Sequence, residues 1–210
     1  MMFHSAEPCR IVSGAFVLEG RFSAGQRGAA VVAPPHPLAG GTIDNPVVAA
    51  TAAALAQASM ATLAFNYRGV EGSTGHATDS LPAAVEDYTS ALAELASRCS
   101  GPYYAAGYSF GAGTALLTAR TVAELAGVIL VAPPLGMLHA EDMRAFTGRV
   151  LVVVGDADEY APLPELRATL VERPDAELVV LAGADHFFHF GGLSQLTREI
   201  ARRLGAWTAG

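Results

Sequence analysis

The feature that most constrains the fold is a regular alternation of short apolar runs with longer amphipathic segments. Valine-rich apolar runs are typical of strands covered on both faces, and this alternation predicts a mostly parallel sheet with helices on both sides. Residues 11–22 lack a following helix, so we expect one or two antiparallel edge strands there. The predicted strands are 28–34, 62–65, 103–107, 127–132, 150–154 and 177–181, and the predicted helices are 46–58, 81–97, 111–120, 164–172 and 193–207.

Length and composition fit one α/β domain. The chain has 210 residues, of which 51% are hydrophobic, and this is enough to fill a single core of this class. No repeat, linker or charge block marks a boundary. We therefore predict a single domain over residues 1–210.

One predicted strand runs directly into Gly107-Tyr108-Ser109-Phe110-Gly111, and a helical pattern follows at once. Ligands bind at the carboxyl ends of the strands in such sheets, so a reactive residue is expected here. A turn this tight leaves no room for side chains at the flanking glycines, and it exposes the serine hydroxyl above the sheet. The amides that open the helix can stabilise negative charge on an attacked carbonyl. We predict a nucleophilic serine, rather than a turn serine that only caps the helix.

Three further segments accompany this G-x-S-x-G motif. They are His36-Pro37-Leu38-Ala39-Gly40-Gly41-Thr42-Ile43-Asp44-Asn45, Asn66-Tyr67-Arg68-Gly69-Val70 and Asp185-His186-Phe187-Phe188. Together the four segments resemble the α/β-hydrolase superfamily, and most of all its small, lidless bacterial members, over nearly the whole chain. The resemblance implies an α/β-hydrolase fold without a cap domain and a catalytic triad in the chain order serine, acid, histidine.

The acid is expected after predicted strand 150–154, where two aspartates lie close together. The resemblance places it at Asp158, which would accept the histidine ring N–H and fix its tautomer. Asp156 is the alternative. An aspartate at this point of a turn commonly accepts hydrogen bonds from backbone amides, and we predict that role for Asp156.

Two histidines follow the last predicted strand and compete for the role of base. His186 stands at the position that the resemblance implies, on the loop from which it can reach both Ser109 and Asp158. His189 lies one helical turn further on. We predict that His186 is the base and that His189 shapes the rim or faces solvent.

The oxyanion hole requires two backbone donors aimed at one point. Phe110, the residue after the nucleophile, supplies the first, and the resemblance implies that Leu38 supplies the second. Pro37 cannot donate, because proline has no N–H. Gly40 and Gly41 either let this loop approach the substrate or serve only as turn residues. We expect the substrate pocket to be walled by Leu38, Phe110, Leu135, Met137 and Phe187.

Several function classes are disfavoured by composition. With a net charge of −7 and 16% charged residues, the chain lacks the basic face that binds nucleic acid. Residues 1–10 resemble no signal peptide, so we expect a cytoplasmic protein. Cys9 and Cys99 are too few for a disulfide framework, and no His/Cys/Asp/Glu cluster has metal-ligand spacing. We therefore expect no metal, no organic cofactor and no nucleic-acid partner.

The uncharged segment 46–65 is as long as a membrane-spanning helix, but it is rich in alanine and contains polar residues. It divides more naturally into a helix and a strand, so no membrane span is expected.

The function predicted from these motifs is hydrolysis of small carboxylic esters of short acyl chains through an acyl-enzyme. A peptidase or a thioesterase could use the same triad, and a binding protein could keep the fold without the chemistry.

Overall fold

The computed structural model describes residues 6–207. Of the N-terminal segment 1–10, for which the sequence predicts no signal peptide, residues 1–5 lie outside this part of the chain. The strands are β1 (Glu7–Ser13), β2 (Phe16–Ser23), β3 (Ala29–Ala33), β4 (Ala61–Phe65), β5 (Tyr103–Tyr108), β6 (Leu125–Val131), β7 (Arg149–Gly155) and β8 (Glu177–Leu181). The α-helices are α1 (Pro46–Gln57), α2 (Leu81–Arg98), α3 (Phe110–Ala119), α4 (Ala140–Ala145), α5 (Leu163–Leu170) and α6 (Gly192–Trp207).

The strands form one sheet in the order β1-β2-β4-β3-β5-β6-β7-β8. β1 and β2 form an antiparallel hairpin, and β2 is also antiparallel to β4. All other neighbours are parallel. The predicted mostly parallel sheet, and the antiparallel edge predicted within residues 11–22, are both confirmed.

Two apolar layers cover the two faces of the sheet. In β3 every residue is buried because alternate side chains enter opposite layers. Ala29, Val31 and Ala33 pack in the layer that includes helices α2 to α5, whereas Ala30 and Val32 pack in the layer under α1 and α6. Burial on both faces explains why this strand has no polar residue.

The helices begin where the sequence provides a cap. The Asn45 side chain accepts a hydrogen bond from the Val47 amide at the start of α1, and Ser80 does the same for the Ala83 amide at the start of α2. Segment 46–65 thus divides into α1 and β4, as the sequence predicts. None of the helices in residues 6–207 is long and apolar enough to cross a membrane.

The strand order places the loops after β3 and β5, which carry predicted site residues, at one edge of the sheet. β3 lies between β4 and β5, so the chain crosses over β3 after β4, and the loops after β3 and β5 leave adjacent strands at this switch point. The connection from β6 to β7 holds only a 3₁₀ turn, Leu135–Met137, and the short helix α4. No cap domain is inserted there, as predicted.

Candidate active site

Ser109 lies at the tight turn between β5 and α3, with φ 54° and ψ −117°. A residue with a side chain adopts this conformation only where its surroundings impose it. A Cβ atom at Gly107 would lie 2.2 Å from the Gly111 carbonyl carbon, and one at Gly111 would lie 2.4 Å from the Ala33 carbonyl oxygen. Both glycines are therefore required to pack the new helix against β5 and β3, as the motif predicts.

The structure brings Ser109, His186 and Asp158 together from three loops. His186 Nε2 lies 3.1 Å from Ser109 Oγ, and its Nδ1 lies 3.0 and 2.9 Å from the two Asp158 carboxylate oxygens. Both members of the His186–Asp158 pair are buried. With Asp158 ionised, Nδ1 carries the proton and donates it to the carboxylate, which leaves an Nε2 lone pair directed at the hydroxyl.

Backbone amides fix the Asp158 carboxylate. Its Oδ1 accepts hydrogen bonds from the amides of Tyr160, at 2.8 Å, and Ala161, at 3.1 Å. A buried carboxylate needs such partners, because an unpaired charge in the interior is strongly unfavourable. The carboxylate is therefore held in one orientation, whatever the state of the histidine.

Aromatic rings surround the His186 imidazole. The Tyr160, Tyr108 and Phe187 rings lie 4.5, 5.4 and 5.4 Å from it, centroid to centroid. The Tyr108 hydroxyl donates to the His186 carbonyl at 3.2 Å. Burial raises the pKa of Tyr108, so this hydroxyl stays a neutral donor at ordinary pH. Neither Tyr108 nor Tyr160 was predicted from the sequence as part of the site, although Tyr108 lies within the serine motif.

Asp156 ties the loops after β7 and β8 to each other. Its Oδ1 accepts the Gly183 amide at 2.7 Å, and nearby the Ala157 amide donates to the Ala184 carbonyl at 3.0 Å. Asp156 therefore accepts a backbone amide, as the sequence analysis proposed, but the amide belongs to the neighbouring loop rather than to its own turn.

His189 is exposed and pairs with Asp185 instead of approaching the serine. Its Nδ1 lies 2.7 Å from Asp185 Oδ2, and its amide donates to Asp185 Oδ1 at 3.0 Å. These hydrogen bonds lower the pKa of Asp185. This location agrees with the predicted solvent-facing position of His189.

The two candidate oxyanion donors differ in their surroundings. Phe110 opens α3, so its amide has no carbonyl one turn earlier within the helix to bind. The Leu38 amide, in contrast, donates to Nδ1 of His36 at 3.2 Å, because His36 caps the 3₁₀ turn Pro37–Ala39. The second candidate donor thus has a side-chain acceptor in this structure, which was not predicted from the sequence.

The glycines of this loop have a structural reason to be there. Gly40 has φ +76°, in the left-handed region, and a Cβ atom at Gly41 would lie 2.1 Å from the Pro35 carbonyl oxygen. Of the two interpretations left open by the sequence, turn formation therefore accounts for both residues.

The residues expected to wall the pocket have different locations. Leu38 and Phe187 are exposed, whereas Phe110 is buried. Leu135 and Met137 are partly buried against the core, and a Cβ atom at Gly113 in α3 would lie 2.5 Å from Met137 Cε. Met137 thus packs on α3, close to the serine turn. Across residues 6–207, no group of three or more His, Cys, Asp or Glu side chains is arranged to hold a metal.

Comparison with known proteins agrees with this architecture. Residues 31–204 match the family model for the alpha/beta hydrolase domain, and the chain belongs to this family. It is similar to an alpha-beta serine hydrolase homologue from Coxiella burnetii, with 30% identity, a TM-score of 0.84, and 97% of this chain and 99% of that chain covered. It is also similar to a lidless serine hydrolase from Xanthomonas campestris, with 25% identity, a TM-score of 0.87 and 100% and 99% covered.

An uncharacterised protein of Rickettsia prowazekii is 28% identical over 173 residues, which span 77% of this chain and 72% of that protein. Family membership and the serine hydrolase relatives support a hydrolase.

Proposed function

We propose that this protein is a serine hydrolase that cleaves small carboxylic esters of short acyl chains, with Ser109, His186 and Asp158 as its triad. The observation that carries the proposal is the contact of 3.1 Å between Ser109 Oγ and His186 Nε2, on an imidazole whose other nitrogen pairs with a buried carboxylate. A nucleophile, a base and a group that orients the base are the three parts that acyl transfer requires.

In the first step, His186 takes the Ser109 proton while the serine oxygen attacks the ester carbonyl. The amides of Phe110 and Leu38 hold the resulting oxyanion, and Asp158 stabilises the imidazolium. The carbonyl then re-forms, the bond to the leaving oxygen breaks, and His186 gives its proton to the departing alcohol. Water attacks the acyl-enzyme by the same route, and this releases the acid and restores the serine.

Two other functions compete with this proposal. A thioesterase or a peptidase would use the same atoms on a different leaving group, and matched ester, thioester and amide substrates would separate the three by their kcat/KM values. A binding protein without chemistry would have no use for a serine at φ 54° beside a buried His–Asp pair. This strained geometry favours an enzyme.

The test is labelling with a fluorophosphonate, which reacts with activated serines. We expect a single adduct that mass spectrometry maps to Ser109, and we expect Ser109→Ala to lose both the adduct and ester turnover. Ser194→Ala, on the exposed surface of α6, is the matched control and should label like the parent protein. An adduct on another serine, or turnover by Ser109→Ala, would refute the proposal.

A further inference from the structure

His36 contacts both residues whose amides would form the oxyanion hole. Its Nδ1 accepts the Leu38 N–H at 3.2 Å, and its ring lies edge-on to the Phe110 ring, 4.8 Å between centroids. Its carbonyl also accepts the amides of Ala39 and Gly41, both at 3.0 Å. The whole turn after β3 is thus organised around one residue.

The hydrogen bond to Leu38 fixes the tautomer of His36. Because Nδ1 accepts the amide proton, it must carry a lone pair, and the proton of the neutral ring is on Nε2. Leu38 lies on an exposed loop, and the residue before it is a proline without an N–H. An exposed amide with no acceptor would be free to turn toward water, so the imidazole holds it in one direction.

The Phe110 side chain is fixed from two sides. The His36 ring packs on one edge, and the Tyr67 ring lies 5.6 Å away at an interplanar angle of 79°. Such edge-to-face contacts are among the preferred arrangements of aromatic pairs. His36, Tyr67 and Phe110 come from three of the sequence motifs, and their contacts connect the loop after β3 to the start of α3.

We propose that His36 is a positioning residue of the oxyanion hole. Its Nδ1 holds the Leu38 amide while the site is empty and yields it to the substrate oxygen as negative charge develops there. An oxyanion is a stronger acceptor than a neutral ring nitrogen, so the amide exchanges partners in the transition state without having to be ordered first. This inference rests on the proposed function, because it assumes that Leu38 is an oxyanion donor.

The experiment separates the effect of the hydrogen-bond acceptor of His36 from the effect of its ring. His36→Asn keeps an acceptor, since an Asn side chain can bond the amide two residues on, but it removes the ring. His36→Phe keeps a ring against Phe110 and removes the acceptor, and His36→Leu is a second variant without an acceptor in case the first does not fold. Thermal unfolding shows which variants are folded.

We expect His36→Phe to lower kcat for a p-nitrophenyl ester by about 10- to 100-fold, less than the loss of a whole oxyanion donor, with KM changed by less than about twofold. His36→Asn should stay within about fivefold of the parent kcat. Affinity for a trifluoromethyl ketone, whose serine adduct carries an oxyanion, should fall in parallel with kcat/KM. A change in ground-state binding alone would leave kcat intact.

Two results would overturn the inference. The first is a folded acceptor-free variant with the parent kcat and ketone affinity, and the second is an equal loss of kcat in His36→Asn and His36→Phe, which would assign the effect to the ring. Failure of the proposed function is distinguishable, because the parent protein itself would then not hydrolyse the ester.

Discussion

The loop after β8 carries two histidines, and each pairs with a carboxylate. The nitrogen-to-oxygen distances of the two pairs are almost equal, but one pair is buried and the other is exposed. His186 Nδ1 lies 2.9 Å from Asp158, and His189 Nδ1 lies 2.7 Å from Asp185. The side chains of the first pair are 8% and 0% exposed, whereas those of the second are 60% and 37% exposed. Distance therefore does not distinguish the two pairs, and their surroundings do.

Burial changes what such a pair can do. Inside the protein, where the dielectric constant is low, a hydrogen bond is stronger and a carboxylate fixed by two amides cannot reorient. At the surface, water competes for both partners, and an exposed ion pair contributes between nothing and about 1 kcal/mol. Only the buried pair also directs its second ring nitrogen at a serine hydroxyl. These differences support the proposed role of His186 as the base and a surface role for His189.

The largest expected effect breaks the buried pair at its histidine. His186→Ala should lower kcat for a small ester by about 10⁶-fold, because it removes the base that takes the serine proton. His189→Ala should change kcat by less than about fivefold, since it removes only an exposed interaction. Steady-state assays on p-nitrophenyl acetate measure both kcat values, and circular dichroism verifies the fold of each variant.

A large loss of kcat in His189→Ala, in a variant that remains folded, would contradict this ranking. So would substantial turnover by His186→Ala, which would mean that another group accepts the serine proton.

The next effect concerns the carboxylates. Asp158→Asn keeps an oxygen acceptor for the Tyr160 and Ala161 amides but cannot accept the His186 proton with its amide nitrogen, so the imidazole takes the wrong tautomer. We expect kcat to fall by about 10³- to 10⁴-fold with the fold intact. Asp185→Asn, at the exposed pair, should stay within about fivefold.

Asp156→Asn is the second control, because an Asn oxygen can still accept the Gly183 amide. It should remain folded and active. If Asp156→Asn proves more damaging than Asp158→Asn in kcat, the acid has been assigned to the wrong aspartate.

Most of the fold can be predicted from local sequence patterns, because the formation of strands and helices depends mainly on neighbours along the chain. The strand predicted at 177–181 matches β8, and the other parallel strands differ from prediction by only a residue or two at their ends. The first edge strand is the exception, since β1 begins at Glu7 rather than within 11–22. Of the four residues that precede the predicted segment, Glu7 to Arg10, only Cys9 is buried, so they give almost no apolar signal.

The candidate site is less predictable, because its contacts join distant parts of the chain. The serine turn is encoded locally by two glycines, and the resemblance supplies the acid and the histidine. In contrast, the packing of Tyr160 on His186 and of Phe110 between His36 and Tyr67 depends on how separate loops meet at the sheet edge. No spacing in the sequence predicts such a contact. His36 could be identified as part of its motif, but its role as an acceptor for the Leu38 amide is apparent only in the folded turn.

The smallest expected effect concerns Phe187 and tests whether the exposed loop after β8 also helps to bind the acyl chain. Phe187 separates the two histidines, packs on both rings and is itself exposed. The connection between β6 and β7 holds only a 3₁₀ turn and α4 and inserts no cap domain. We therefore expect little apolar wall for a long acyl chain. Each further methylene is worth about 0.8 kcal/mol, or about fourfold in kcat/KM, only while there is wall to bury it against.

We therefore expect kcat/KM for p-nitrophenyl esters to peak at short acyl chains and to fall toward palmitate, with no rate increase when the substrate forms micelles. Phe187→Ala should lower the peak by no more than about tenfold, because it removes one partly exposed wall, and it should leave the position of the peak at short chains. His189→Ala is the matched control on the same loop and should leave the whole profile unchanged. A preference for long chains, or a rate jump above the micellar threshold, would show that the loops close over the acyl group. The contrast between the buried His186 pair and the exposed His189 pair would then apply only before substrate binds.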